Sequence, residues 1–470
     1  MASEATFQVV SFGCKVNQVE GETLAANLRE IGLREVACEA EAEFVIVNTC
    51  AVTGEAARQC RQRIRRALRS GAGVIVTGCA AHPAAEDGAI QGMPGLALVE
   101  PEKERILGFL NGRGIRSLRV RRGPSAAPAP TTFEPGATKI EPAAEAAGDS
   151  RNVASPAAAA AGSGEHLSAP GRSRALVRIQ DGCPAACAYC IVPKVRPTVC
   201  STPPEAVLGQ VRALIAAGFR EFVLCGIHLG LYGTDLEPRA GLADLLERLL
   251  TVPGLGRVRL SSLEPTEVSD RLLSLLAAEP DRLCPHLHIP LQSGDDGVLK
   301  RMGRPYTSAG FLAVVERIRR AIPQPAVTTD VLVGFPGETE AAFGETLRVC
   351  REAAFSRLHV FPFSKRPGTR AAAMKPEVPR ATLHERCRRA AELGRTLAEA
   401  YRASLVGRAA QVAIEKLLPG GGAEGLSERY VRVRLRGPLP PGAERRMIVP
   451  VRLRRLDGEF IEAEAEGNAV

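Results

Sequence analysis

Three short apolar runs stand near the start of the chain: FQVVSF (7–12), FVIVN (44–48) and GVIVT (73–77). Helical spacing of apolar positions follows the first two, from about Gln18 to Glu30 and from Thr53 to Leu68. Strands alternating with helices predict a parallel sheet whose loops meet at its carboxyl edge, where such folds bind ligands. The alternation resumes further on with six runs, ALVRIQ, EFVLCG, RVRLSS, HLHIPL, AVTTDVLV and RLHVFPF, between residues 175 and 363. Six strand–helix units fall short of the eight that close a TIM barrel, so the pattern predicts a partial, open barrel. From about Ser404 the period changes to two. In YVRVRLRG, Val431, Val433 and Leu435 share one face and Arg432, Arg434 and Arg436 the other,. One further strand is predicted in MIVPVRLRRLDGEFIEAEA, giving a small all-β barrel with a basic face,.

Between the two alternating regions the pattern fails. Residues 121–172 are rich in Ala, Pro, Ser and Gly and poor in large apolar groups, so burial cannot offset their ordering entropy and a flexible linker is expected,. The chain is thus expected to divide into an N-terminal α/β domain (6–120), the linker (121–172), the partial barrel (173–403) and a β domain (404–468).

Composition then narrows the class. The 470 residues suit about three domains,. No apolar run approaches the ~18 residues of a membrane span and no signal-peptide pattern is present, which leads to the expectation of a cytoplasmic protein without a membrane partner. In that compartment the thirteen cysteines point to metal ligands rather than disulfides,. The formal charge of +9 permits a nucleic-acid partner, and the absence of Trp argues against recognition by many stacked bases,.

The cysteines carry the candidate chemistry. Cys14, Cys50 and Cys79 each stand just past a predicted strand end, 36 and 29 residues apart, so a parallel sheet gathers them at one edge. Cys183, Cys187 and Cys190 form C-x3-C-x2-C after the first strand of the partial barrel. A structural zinc site wants four ligands. Three thiolates suit a four-iron cluster with one iron left open. Cys38 and Cys60 read as packing or surface residues, and His286 and His288 as satisfied core histidines.

The C-x3-C-x2-C run on such a barrel resembles the radical S-adenosylmethionine enzymes. The stretches GCKVNQ, NTCAV and TGCAA, with the basic tail, narrow the resemblance to the methylthiotransferases, whose tail is a TRAM domain that binds tRNA. GIHLG (226–230) and HVFPFSKRPGT (359–369) are similar to the branch that thiomethylates C2 of N6-threonylcarbamoyladenosine, 3′ of the anticodon. The resemblance implies two [4Fe-4S] clusters and S-adenosylmethionine. Cys183, Cys187 and Cys190 would hold the radical-generating cluster, and Cys14, Cys50 and Cys79 an auxiliary cluster carrying the sulfur. One S-adenosylmethionine would methylate that sulfur, and a second would yield the radical that takes hydrogen from C2. Catalytic groups beyond the clusters are not identified.

For the cofactor pocket the choice falls on Gly226, Ser262, Glu264 and Gln292. Lys365 and Arg366 are candidates for a tRNA phosphate or a substrate carboxylate. The partners implied are the tRNA anticodon stem-loop and an electron donor such as a flavodoxin or ferredoxin, with the chain a monomer. The chain departs from the family pattern at Lys194-Val195-Arg196-Pro197 and at Cys200, where relatives have Ala-Arg-Gly after an aromatic and a further arginine. Two other readings stay open: the same chemistry on isopentenyladenosine or a ribosomal protein, and a non-catalytic metal protein that binds nucleic acid.

Overall fold

The computed structural model describes residues 5–85, 87–112 and 172–466, so the expected linker lies, up to its last residue, outside the described residues. The first region is a five-stranded, all-parallel sheet in the order β2-β1-β3-β4-β5, with β1 Thr6–Ser11, β2 Arg34–Glu35, β3 Phe44–Thr49, β4 Gly73–Gly78 and β5 Leu96–Val99. β3 and β4 are buried along their whole length, which is why FVIVNT and GVIVTG read as continuous rather than alternating apolar runs,. The sequence pattern misses β2 and β5, which are only two and four residues long.

Helix α1 (Lys15–Glu30) follows β1, and α2 (Gly54–Arg69) follows β3. The Thr53 hydroxyl caps α2 by accepting from Ala56 N at 3.1 Å,. α2 buries Ala57, Cys60, Ile64 and Ala67, so Cys60 is a packing residue, as its spacing suggests.

All six strands expected in the partial barrel are present and parallel: β6 Ala175–Arg178, β9 Glu221–Cys225, β10 Arg257–Leu260, β11 His286–His288, β12 Ala326–Val333 and β13 Arg357–Pro362. Between β6 and β9 lies a short antiparallel pair, β7 Gln180–Asp181 and β8 Cys200–Ser201. The six strands form two three-stranded halves, β10-β9-β6 and β11-β12-β13, joined by isolated bridges at Val258–Leu283 and Ser262–His288.

The two faces of these strands differ. Ala175, Val177, Phe222 and Leu224 pack outward in one core with Val211, Leu245 and other helix residues. On the opposite face Leu176, Val223 and Cys225 pack against Val16 and Val19 of α1. The first helix of the N-terminal region therefore covers the inner side of β6 and β9.

The last region is a closed barrel, β14-β15-β16-β18-β17, made of β14 Ala409–Leu417, β15 Ala423–Ser427, β16 Arg432–Leu435, β17 Ile448–Asp457 and β18 Phe460–Ala465. The single strand expected over MIVPVRLRRLDGEFIEAEA is two, because Asp457-Gly458 turns the chain back on itself; Gly458 has φ +59°. Val433 and Leu435 face the barrel core as the alternation requires. The outward arginines are largely matched by carboxylates: Arg434 by Glu424 (2.9 Å) and Asp457 (2.6 Å), Arg436 by Glu462 (3.1 Å). The basic face is thus laced with ion pairs.

Two buried arginines of β10 fasten this barrel to the central one. Arg257 donates to the carbonyls of Gln411 (2.6 Å) and Leu426 (2.9 Å), and Arg259 to those of Ser427 (3.0 Å) and Glu428 (2.9 Å). Glu221, fully buried on β9, lies between them at 2.6 and 2.8 Å. No helix among the described residues is long and apolar enough to cross a membrane.

Candidate functional site

β1, β3 and β4 are neighbours in the sheet, and each delivers one cysteine to its carboxyl edge. Cys14 is the N-cap residue of α1, while Cys50 and Cys79 directly follow β3 and β4. The approach is close: a Cβ on Gly13 would lie 2.5 Å from Cys50 Sγ, and Gly13 has φ +89°, so only glycine fits there,. Burial pushes the Cys14 thiol up to about 12 and the Cys50 thiol to about 11, and the neighbouring sulfurs add to both shifts. A buried group of thiols is stable protonated and needs strong cationic charge to become thiolates.

The second group lies on the loop after β7. Its shape is fixed by backbone bonds from Cys183 N to Arg196 O (3.0 Å), Cys190 N to Cys187 O (3.2 Å) and Ala188 N to Met302 O (2.8 Å). Burial raises the Cys190 thiol to about 12, with Cys187 and Cys183 contributing. Two cationic groups attend these sulfurs. Arg304 Nη1 donates to Cys187 Sγ at 3.3 Å, and His228 Nδ1 stands 3.2 Å from Cys183 Sγ. His228 Nε2 meets the Glu267 carboxylate. Burial opposes the charge on His228, but its bonds to Cys183 and Glu267 outweigh that and raise it to about 10.

Arg196 connects the two groups. Its carbonyl accepts from Cys183 N, while its guanidinium reaches into the N-terminal region, with Nε 3.4 Å from Cys79 Sγ and Nη1 and Nη2 2.7 and 2.9 Å from Glu20. Asp181 also accepts from Nη1, at 2.6 Å. Glu20, on α1, is buried yet held far below the usual carboxylate range, because Lys103, Arg196 and Arg178 together overcome its desolvation. The unusual stretch after the cysteine loop therefore keeps its arginine in a structural junction.

The residues chosen for the cofactor pocket all lie at the carboxyl ends of the barrel strands, in different settings. Gly226 follows β9, and a Cβ there would lie 2.8 Å from Gln180 Oε1 and 3.1 Å from Leu229 Cα, so packing alone accounts for glycine. Ser262 is exposed and its backbone pairs with His288. Glu264 is engaged by Arg304, the same guanidinium that reaches Cys187. Gln292 has φ +63°, and its amide N donates to Asp330 O at 2.8 Å.

Lys365 is taken up by Glu377 at 2.6 Å. Arg366 keeps a buried Nε that has no hydrogen-bond partner among the described residues, at the loop that meets Gly54 near Cys50.

Of the expected core histidines, His286 is fully buried and stacks on Tyr430 at 4.8 Å, but His288 belongs to a polar group with Asp330 and His359. Arg196, His228, Glu20, Arg304 and this group are what the sequence reading missed as functional candidates. His228 and His359 lie inside motifs it quoted.

The donor sets suit the groups the resemblance implies. The three ligand atoms of His288, Asp330 and His359 lie within 4.8 Å of one another, as one ion requires; among the described residues neither cysteine group is that tight. Three thiols beside cationic donors, as in each cysteine group, fit a multi-iron cluster.

The chain is similar to known proteins along most of its length. Residues 177–350 match the model of the Radical SAM superfamily, and residues 6–95 that of the Uncharacterized protein family UPF0004. The threonylcarbamoyladenosine tRNA methylthiotransferase MtaB of Thermotoga maritima is 34% identical over 91% of this chain and 90% of its own length. Its Bacillus subtilis counterpart is 36% identical over 92% and 91%. The tRNA-2-methylthio-N(6)-dimethylallyladenosine synthase of Thermobifida fusca is 33% identical over 88% of this chain and 78% of its own. Among solved structures, the radical S-adenosylmethionine methyltransferase TsrM of Kitasatospora setae, with tryptophan and a cofactor analogue bound, superposes with a TM-score of 0.50. It covers 79% of this chain and 75% of its own at 16% identity, a likeness of fold alone.

Proposed function

Because this chain belongs to the radical S-adenosylmethionine methylthiotransferases, we propose a division of labour between its two cysteine groups in modifying tRNA. The enzyme transfers a methylthio group to C2 of N6-threonylcarbamoyladenosine in tRNA, using S-adenosylmethionine and two [4Fe-4S] clusters. Cys183, Cys187 and Cys190 hold the cluster that meets S-adenosylmethionine; Cys14, Cys50 and Cys79 hold the one that carries the sulfur. When bound, the first supplies the electron for a 5′-deoxyadenosyl radical and the second the sulfur to be methylated and passed on.

The chain's own residues prepare the site. Arg304, His228 and Arg196 place positive charge or N–H donors against the sulfurs of Cys187, Cys183 and Cys79, where they complement the negative charge of cluster-bound sulfur,. α1 covers the inner face of β6 and β9, keeps water from that side of the lumen and sets Cys14 at its rim,. Gly226, Ser262, Glu264 and Gln292 line the ends of the strands where S-adenosylmethionine binds, Glu264 through its pairing with Arg304. We assign the domains to 6–120, 173–403 and 404–468. The target adenosine lies 3′ of the anticodon. The enzyme works as a cytoplasmic monomer and takes its electrons from a flavodoxin or ferredoxin.

The observation that carries this reading is Arg196, which touches the backbone of one cysteine group and a sulfur of the other. The test is an anaerobic assay of reconstituted enzyme with anticodon stem-loop RNA that either has or lacks the threonylcarbamoyl group, followed by nucleoside mass spectrometry. Methylthio product from the first RNA alone is expected. Product from an isopentenyladenosine RNA instead, as the similarity to the dimethylallyladenosine synthases would allow, overturns the substrate.

A further inference from the structure

The inner faces of β11, β12 and β13 differ from the apolar inner face that α1 covers. A hydrogen-bonded chain runs across them. His286 Nε2 lies 3.2 Å from Thr328 Oγ1, which lies 2.9 Å from His288 Nδ1; His288 Nε2 lies 3.3 Å from Asp330 Oδ1, and His359 Nδ1 3.1 Å from the same oxygen.

The proton positions follow from one end. His286 is buried and held neutral, and its Nδ1 has no hydrogen-bond partner among the described residues. A buried N–H without an acceptor costs more than a bare lone pair, so the proton sits on Nε2 and is donated to Thr328. The Thr328 hydroxyl then donates to His288 Nδ1, and His288 Nε2–H donates to Asp330. Burial opposes the charge on Asp330, yet the two imidazoles hold its carboxyl far below the usual range, so it accepts from both. His359, fixed through Nδ1–H, presents Nε2, which is a lone-pair acceptor in the neutral imidazole and bonds nothing else among the described residues.

The setting places this acceptor beside the reaction. The backbone of His288 pairs with Ser262, and Gln292 N donates to Asp330 O, so the group adjoins two of the residues given to S-adenosylmethionine. From His359, β13 runs on to the loop that meets Gly54 near Cys50. Lys15 stands next to Cys14 in the first turn of α1, the helix whose Val16 and Val19 pack on the inner face of β6 and β9. It is exposed, forms no salt bridge among the described residues, and lies within electrostatic reach of His286, Tyr430 and Cys225.

We propose that His359, oriented by Asp330 and His288, together with Lys15, forms the subsite that recognises the polar N6 substituent of the substrate adenosine. This rests on the reaction given above. A threonylcarbamoyl group brings a hydroxyl and N–H for the His359 acceptor and a carboxylate for the Lys15 ammonium, whereas a dimethylallyl group has neither and would leave both unpaired. With both imidazoles donating N–H to one carboxylate oxygen the rings are oriented for the substrate, and an ion held by the same three groups, which would displace those protons, is a separate outcome of the test.

The test measures binding of reconstituted enzyme to fluorescent anticodon stem-loop RNA with threonylcarbamoyladenosine, and to the same RNA with plain adenosine. Wild-type enzyme is expected to prefer the modified RNA about tenfold, the worth of one or two such bonds. His359→Phe and Lys15→Met should each remove most of that preference while affinity for the plain RNA holds, and His359→Gln should restore part of it. Full preference in both variants overturns the subsite, as does a parallel loss on both RNAs, which would mark a structural role. A preference that disappears with a chelator, with zinc bound to wild type and not to His359→Phe, also overturns it in favour of a metal site. Wild-type enzyme that methylthiolates the RNA without preferring it overturns the subsite and leaves the reaction standing. Neither product nor preference overturns both.

Discussion

Arg196 Nε approaches Cys79 Sγ to 3.4 Å from a loop whose backbone also holds Cys183 in place. One side chain thus ties together two cysteine groups 104 residues apart in the chain, Cys79 and Cys183. Its carboxylate partners, Glu20 and Asp181, come from opposite sides of the same junction.

Replacing Arg196 with Met removes the guanidinium that both Glu20 and Asp181 rely on. Lys103 and Arg178 remain near Glu20, so the cost is expected at the lower end for a broken buried pair, about 3 kcal/mol,. Thermal unfolding should show it. Cleavage of S-adenosylmethionine should persist while methylthio product falls more than about tenfold, the worth of a charge-assisted bond. Equal loss of 5′-deoxyadenosine and product would mean that Arg196 serves the barrel site alone.

Acid should loosen the C-terminal barrel. Burial opposes the charge on Glu221, but Arg257, Arg259 and Arg174 hold it at about 2, below its ordinary value of 4.5. Its contribution is therefore complete above about pH 4.5 and is lost as the pH falls from there toward 2,. Glu221→Gln leaves two buried guanidiniums without their carboxylate and should cost about 3–5 kcal/mol near neutral pH. Urea unfolding across that range should show a steeper acid loss in wild type than in the variant. Parallel curves would contradict the assignment.

Gly226→Ala separates packing from cofactor contact. The added methyl meets Gln180 and the Leu229 backbone, so a destabilisation of about 1–3 kcal/mol is expected with the iron content unchanged,. If instead stability holds and affinity for S-adenosylmethionine falls, the glycine serves the cofactor directly.

Iron analysis after anaerobic reconstitution counts the clusters. About eight irons per chain are expected, falling to about four when Cys14, Cys50 and Cys79 are replaced together by Ala, and to about four when Cys183, Cys187 and Cys190 are. About four irons in wild type and in the first variant would make the N-terminal cysteines packing residues.

Much of this was legible in the sequence because period and punctuation are local. FVIVN and AVTTDVLV announce strands, and cysteines one residue past β3 and β4 announce a shared edge. The two short strands β2 and β5 carry too few residues for any period to show. The hairpin at Gly458 was legible, since Asp457-Gly458 breaks the alternation with a common turn pair that the reading of one strand passed over,. The site's charge pairing was illegible for another reason: Glu20 and Arg196 are 176 residues apart, and only tertiary packing makes them neighbours. His288 looked like a core histidine because its partner Asp330 lies on the next strand of the sheet and His359 on the one beyond.

The central claim is that two cysteine groups split the reaction, one making the radical and the other delivering sulfur. It is tested most directly by assaying the Cys14/Cys50/Cys79→Ala variant beside wild type on threonylcarbamoyladenosine RNA, reading 5′-deoxyadenosine and methylthio-nucleoside from the same mixture. Wild type should form both, and the variant 5′-deoxyadenosine alone. Methylthio product from the variant at the wild-type level would contradict the account.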